Sequence, residues 1–238
     1  FELNAGECVA LIGPNGAGKS TCFACLAGQQ KAVAGEVFWR GRDLQQVSVD
    51  QLTGLGVART FQVAQVFEAL TVLQNMQLVL QAKRGVSMRD VLSDCLLHEA
   101  MHWIEEAGLS DLGPDMLRSP ADRLSYGGKK RLELAMAMAG LPNPSEGLML
   151  LDEPAARLSP EERLDMMDRV KRMTDGGTTV LYTEHNMDAV FGVADRVLVL
   201  IDGQLVAQGT AQEVAANDVV RQRYLGQTFS FKGGAERA

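Results

Sequence analysis

Gly13-Pro14-Asn15-Gly16-Ala17-Gly18-Lys19-Ser20 decides the fold. It matches G-x-x-x-x-G-K-[ST], and its surroundings suit that pattern. Ahead of it, residues 7–13 read as a buried strand, Cys8-Val9-Ala10-Leu11-Ile12, ending in a glycine-rich turn. Behind it a helix runs over residues 19–27, closed by Gly28. Glycines let such a turn bring backbone N–H groups close to phosphate, and the helix N-terminus adds partial positive charge. In such a loop Lys19 neutralises the β- and γ-phosphates and the Ser20 hydroxyl ligates Mg2+. Asn15, Gly16, Ala17, Gly18 and Thr21 complete the expected phosphate-binding set. A chain of this length and ordinary composition meets the pattern by chance about one time in a hundred, and the flanking strand and helix lower that further.

Outward from the loop, strand-like pieces follow at residues 36–40 and 57–61. From about residue 71 to 107 the period turns helical. Val91, Leu92, Cys95 and Leu96, then Trp103, Ile104 and Ala107, fall along one side of a helix. Another helix begins near Gly128, with Leu132, Ala135, Met136 and Ala139 at i, i+3, i+4 and i+7. After Pro142-Asn143-Pro144 the strand–helix alternation returns, with strands over residues 148–151, 178–182 and 196–201. Ser159-Pro160-Glu161-Glu162 starts a helix between the first two. This order predicts an α/β fold, a P-loop NTPase core with a mostly parallel sheet and an inserted helical subdomain. The expected division is a catalytic core from residues 1–62 and 141–226, a helical subdomain over 63–140, and a mobile tail over 227–238.

Leu148-Met149-Leu150-Leu151-Asp152-Glu153 is an apolar strand ending in two carboxylates. Such a strand, taken as lying beside the P-loop strand, puts Asp152 where it can hold the hydration shell of Mg2+. Glu153 can then polarise the attacking water as general base. Three more segments narrow the class. Leu124-Ser125-Tyr126-Gly127-Gly128-Lys129 opens a helix and so forms a second anion-binding helix start. Thr60-Phe61-Gln62 puts an amide at a strand end, where the helical insert begins, and Thr183-Glu184-His185 ends the next core strand with a histidine.

In this order and spacing the motifs resemble the ATP-binding cassette family over nearly the whole chain. The resemblance implies ATP hydrolysis with Mg2+ and a head-to-tail dimer with two ATPs between subunits. Each ATP would lie between the P-loop of one chain and Ser125, Tyr126 and Gly127 of the other. It also implies that Gln62 senses the γ-phosphate, contacts Mg2+ and moves with a membrane subunit. His185 would stabilise the transition state beside Glu153, and the loop over residues 154–159 would link the two sites. Within the family, Arg59-Thr60-Phe61-Gln62, Leu124-Ser125-Tyr126-Gly127, Asp152-Glu153-Pro154-Ala155-Ala156, Thr183-Glu184-His185-Asn186-Met187 and the closing Tyr224-Leu225-Gly226 resemble branched-chain amino-acid importer ATPases. The partners implied are transmembrane permease subunits, a second ATPase subunit (identical or different) and, indirectly, a periplasmic binding protein. The implied location is the cytoplasmic face of the bacterial inner membrane. Gly128 stands where the signature usually carries glutamine, Arg157 where a glycine is usual, and Ser159 where asparagine or aspartate is expected. The family's upstream strand-rich leader, with its adenine-stacking aromatic, is read as absent, and no adenine platform is assigned.

Composition agrees with these partners. The chain has 238 residues and a net charge of −7, from 23 basic and 30 acidic residues, which argues against nucleic acid as the main ligand. No secretory signal is visible, and no apolar run approaches the ~18 to 20 residues that span a bilayer, so a membrane role is expected to run through partners. Lys129-Lys130-Arg131 is read as a solvated helix face. The four cysteines, Cys8, Cys22, Cys25 and Cys95, make no disulfide framework, which suits a reducing cytosol. Cys22-Phe23-Ala24-Cys25 is read as packing, as are Met136, Met138, Met166, Met167 and Met173. His98-Glu99-Ala100-Met101-His102 matches H-E-x-x-H, but no third ligand is evident and zinc is discounted. Two alternatives stay open: a cassette for lipid or other export, and a soluble cassette ATPase outside transport.

Overall fold

The computed structural model describes residues 1–85 and 96–226. The expectations placed on Val91, Leu92, Cys95 and the 227–238 tail lie outside those residues.

Apolar runs of strand length form the main sheet. The strands are β1 (Cys8–Ile12), β4 (Val57–Arg59), β5 (Leu148–Asp152), β6 (Thr179–Thr183), β7 (Arg196–Ile201) and β8 (Gln204–Gly209). They lie in the order β4-β5-β6-β1-β7-β8. All neighbours are parallel except the β7–β8 pair, an antiparallel edge that the sequence pattern did not reveal. A two-stranded hairpin, β2 (Phe38–Trp39) with β3 (Arg42–Asp43), replaces the single strand expected near residues 36–40.

The helices are α1 (Lys19–Leu26), α2 (Val49–Leu52), α3 (Val72–Arg84), α4 (Leu97–Glu106), α5 (Gly113–Leu117), α6 (Tyr126–Gly140), α7 (Pro160–Asp175), α8 (Met187–Phe191), α9 (Ala211–Ala216) and α10 (Asp218–Val220). Successive strand residues point to opposite faces, so each strand feeds two cores. Ala10, Ile12, Met149, Leu151, Val180, Tyr182 and Val199 face α7 and α8 through Met166, Met167, Val170 and Val190. Val9, Leu11, Leu150, Leu181 and Leu198 face Phe23 of α1 and Leu52 of α2. Coverage on both faces is why these strands are apolar at every position rather than at alternate ones.

A separate core joins Val72, Met76 and Leu80 of α3 with Ala100 and Ile104 of α4 and Leu132, Ala135 and Ala139 of α6. Helix α6 serves two cores, because Leu134 and Met138 from its other side pack under the sheet. The start of α6 is set by Ser125, whose hydroxyl accepts from Gly128 N–H at 3.1 Å. Thr71 with Gln74 opens α3, and Ser159 with Glu162 opens α7, each through a complete capping box.

Two expectations are corrected. The acid-pair strand does not lie beside the P-loop strand: β6 pairs with β5 on one side and β1 on the other. The carboxylates still reach the loop, because parallel strands end on the same edge and one strand spacing is only about 4.8 Å. Nor is Lys129-Lys130-Arg131 a solvated face. Lys129 pairs with Glu68 at 2.6 Å, Arg131 donates to the Gly108 carbonyl at 3.0 Å, and Lys130 is 2% exposed. Consecutive helical residues point about 100° apart, and α6 has packed neighbours in more than one of those directions.

Arg157 has φ 63°, a conformation that favours glycine, and its side chain is exposed. Arg157→Gly is expected to raise stability by about 1 kcal/mol, measured as a higher urea midpoint with an unchanged slope.

Candidate active site

Five parallel strands put the ends of β1, β4, β5, β6 and β7 on one edge of the sheet, and the chemistry-bearing residues gather there. The loop after β1 approaches β7 so closely that a Cβ on Gly13 would sit 1.9 Å from the Leu200 carbonyl oxygen. Only glycine fits there. The loop then turns into α1, whose first N–H groups lie free of helix partners.

Asn15, Gly16, Ala17, Gly18, Lys19, Ser20 and Thr21 line a cavity of about 220 Å³ together with Glu153 and His185. Lys19 is 8% exposed and its ammonium donates to the carbonyls of Gly13 (2.7 Å) and Pro14 (3.0 Å). Burial pushes its pKa down, opposed by the charges of Glu153 and Asp152. An anion entering the loop therefore meets a desolvated cation already inside it. A larger cavity of about 420 Å³ lies between α4, α6 and α7, floored by Leu134 and Met138. Its lining includes Glu106 but neither the glycine-rich loop nor Lys19 and Glu153, so donor chemistry rather than volume assigns the site.

Glu153 follows β5 directly and is held in a left-handed conformation, φ 47°. Such strain in a non-glycine residue persists where surrounding bonds over-determine it. The Glu153 N–H donates to Thr183 Oγ1 at 3.1 Å, and that hydroxyl donates to Asp152 Oδ1 at 2.9 Å. One Glu153 carboxylate oxygen accepts from Gln62 Nε2 at 2.9 Å, the other from His185 Nε2 at 3.0 Å. A carboxylate only accepts, so His185 carries a proton on Nε2. Gln62, Glu153 and His185, far apart in sequence, thus form one hydrogen-bonded group.

Asp152 is also committed, its second oxygen pairing with Arg59 at 3.1 Å. Arg59 lies over the rings of Phe23 and Phe61 and donates to Gln29 at 2.6 Å. Glu184, 4% exposed, accepts from Ala155 N–H (2.9 Å) and His185 N–H (3.1 Å), which ties the 154–159 loop to the histidine. Burial pushes its pKa up, against those same bonds.

Ser125, Tyr126 and Gly127 do not line the phosphate cavity of their own chain. They open α6, and Tyr126 donates its hydroxyl hydrogen to the Gln62 carbonyl at 2.9 Å. Thr183, Arg59 and Glu184 were not singled out from the sequence. All three sat inside quoted motifs, but nothing in their spacing told of contacts to residues thirty or more positions away for Thr183 and Arg59, or about thirty for Glu184.

The discounted signals have ordinary packing explanations. Glu99 pairs with Arg84, and His102 meets the ring of Trp103. Burial pushes the Cys8 thiol up to about 12 and Cys22 to about 11, which favours the protonated thiol at both.

Comparison with known proteins gives the family. The family profile described as ABC transporter matches residues 1–156. The high-affinity branched-chain amino acid transport ATP-binding protein LivG of Salmonella typhimurium is 36% identical, over 95% of this chain and 90% of that protein. An ATP-binding cassette of an ABC transporter solved in its ADP conformation matches with TM-score 0.80 and 27% identity, over 95% of this chain and 91% of that one. A dimeric cassette in a post-hydrolysis state with ADP and Pi matches with TM-score 0.72 and 25% identity, over 89% and 88%. The chain belongs to the ABC transporter family. It is an ATP-binding, ATP-hydrolysing subunit, of a kind that dimerises and works with membrane components. No helix among the described residues is long and apolar enough to cross a membrane.

Thr183→Val keeps the side chain's shape but strips the hydroxyl that joins Asp152 to the Glu153 backbone. The expected result is a kcat about tenfold lower with a KM for ATP near wild type, read from steady-state phosphate release.

Proposed function

We propose that this chain powers uptake of branched-chain or related amino acids as the ATPase subunit of an importer at the cytoplasmic face of a bacterial inner membrane. The observation that carries the ATPase part is that Glu153 and His185, hydrogen-bonded to each other, line the phosphate-loop cavity, with Gln62 bonded to the same Glu153 carboxylate. The substrate class is supported by the relative of matching length whose name states it. The cargo itself touches permease subunits and a periplasmic binding protein, the latter meeting this chain only indirectly.

The loop from Asn15 to Thr21 binds the ATP phosphates, with Lys19 neutralising the β- and γ-groups. The donor set also suits a hard cation. Ser20 and Gln62, with Asp152 through water, would hold Mg2+, which would supply charge neutralisation at the phosphates. Glu153 takes the proton of the attacking water as the bond between the γ-phosphorus and the leaving ADP oxygen breaks, giving ADP and phosphate. His185 orients that carboxylate and stabilises the charge that develops. Gln62 lies on the same carboxylate, where it senses the γ-phosphate, and it moves with the permease. Ser125, Tyr126 and Gly127 cap the ATP held by a second ATPase subunit, and residues 154–159 join the two sites.

Residues 63–140 then move as a helical subdomain against a core of residues 1–62 and 141–226. Val63 and Phe67, each 53% exposed beside the Gln62 segment, offer an apolar surface to a permease loop. Lys19→Ala is expected to abolish ATP binding and turnover. Glu153→Gln is expected to bind ATP, assemble into a dimer by light scattering, and hydrolyse at under about a hundredth of the wild-type rate. Wild-type turnover by both variants would overturn the site. With its permease and binding protein, the chain should drive uptake of labelled leucine, isoleucine or valine; uptake confined to an unrelated solute would overturn the substrate class.

A further inference from the structure

The backbone that carries Gln62 is gripped by one face of α6. Tyr126, Lys130 and Glu133 recur at i, i+4 and i+7, so their side chains project from the same side of the helix. Tyr126 donates to the Gln62 carbonyl at 2.9 Å. Lys130 Nζ donates to the Phe61 carbonyl through a short bond. Glu133 Oε1 accepts from both Phe61 N–H and Gln65 N–H, each at 3.1 Å. Lys130 also lies 3.6 Å from Glu133 Oε2, an oxygen with no hydrogen-bond partner.

Lys130 and Glu133 are 2% and 5% exposed. Burial pushes the lysine pKa down and the glutamate pKa up, the direction expected for charges taken out of water. Hydrophobic residues of similar volume would hold such a position at least as well. What the buried pair adds is direction: bonds to backbone atoms of residues 61 and 65 on either side of Gln62. Apolar contacts would let that segment slide, whereas these bonds fix where it runs and so where the Gln62 amide reaches.

We infer that Tyr126, Lys130 and Glu133 are positioning residues for ATP hydrolysis. They form a clamp on α6 that sets Gln62 against Glu153. The clamp sits on the helix that begins at Ser125, so the end of α6 that faces a second subunit's nucleotide is rigidly joined to this subunit's own Gln62. Displacement of α6 at one ATP is then felt at the other. The inference rests on the roles proposed above for Gln62 and for the Ser125 segment.

A double-mutant cycle on the full chain tests it. Steady-state ATPase kcat and KM are measured for Tyr126→Phe, Lys130→Met, Glu133→Gln and Gln62→Ala, and for each clamp variant combined with Gln62→Ala. Glu133→Gln and Lys130→Met are expected to lower kcat about tenfold with KM within about twofold. Tyr126→Phe removes one exposed hydroxyl, and should lower kcat a fewfold with an unchanged unfolding midpoint. In the Gln62→Ala background each clamp change should add less than about twofold, because the residue it positions is gone. Losses that multiply with that of Gln62→Ala, or wild-type kcat in Tyr126→Phe and Glu133→Gln, overturn the clamp and leave the role of Gln62 standing. Wild-type kcat in Gln62→Ala itself overturns that role, and the clamp with it.

Discussion

Five strands of the main sheet run in one direction, and a parallel sheet delivers every carboxyl end to the same edge. The rest of the site depends on that constraint. The phosphate loop leaves β1, Asp152 ends β5 and Glu153 follows it. Thr183 ends β6, with Glu184 and His185 just beyond, and Arg59 ends β4 three residues before Gln62. No long-range search is needed to assemble them once the register is set. The interposed β6 supplies Thr183, whose hydroxyl joins the Asp152 carboxylate to the Glu153 backbone.

Helix α6 is the second organising element. Its apolar residues divide between the core under the sheet and the core of the helical segment. Its polar residues hold the connection between the two. Consecutive basic residues on a helix shared by two cores cannot all face water, and here Lys129, Lys130 and Arg131 take different partners. The same geometry puts the Ser125-capped start of α6 and the bonds to residues 61–65 in one helix of 15 residues.

Among the described residues, left-handed backbone outside glycine occurs in two hairpin turns, at Arg40 and Asp202, and at two positions after β5. The latter are Glu153, directly after β5, and Arg157, in the loop that follows. For Glu153 the cost is offset by bonds from its amide and both carboxylate oxygens. Arg157 has an exposed side chain and nothing comparable.

The sequence by itself determined the class of fold and the phosphate loop, because both are written locally. Eight residues of fixed spacing, an apolar run before them and a helix start after them are short-range patterns. The same holds for the helix start at Ser159-Pro160 and the helical spacing from Leu132 to Ala139, which the structure places in a buried core. Asp152, Glu153, Gln62 and His185 were legible as candidates, since each ends or follows a recognisable strand. Their assembly was decided only in three dimensions. Strand order is a long-range choice among apolar segments that look alike, so the sequence could not tell that β6 separates β5 from β1. Nor could it tell that Arg59 takes one side of Asp152, or that a basic run includes a buried lysine gripping a backbone carbonyl. Those facts follow from which surfaces meet when sheet and helices pack, and side-chain partners tens of residues apart leave no periodic trace.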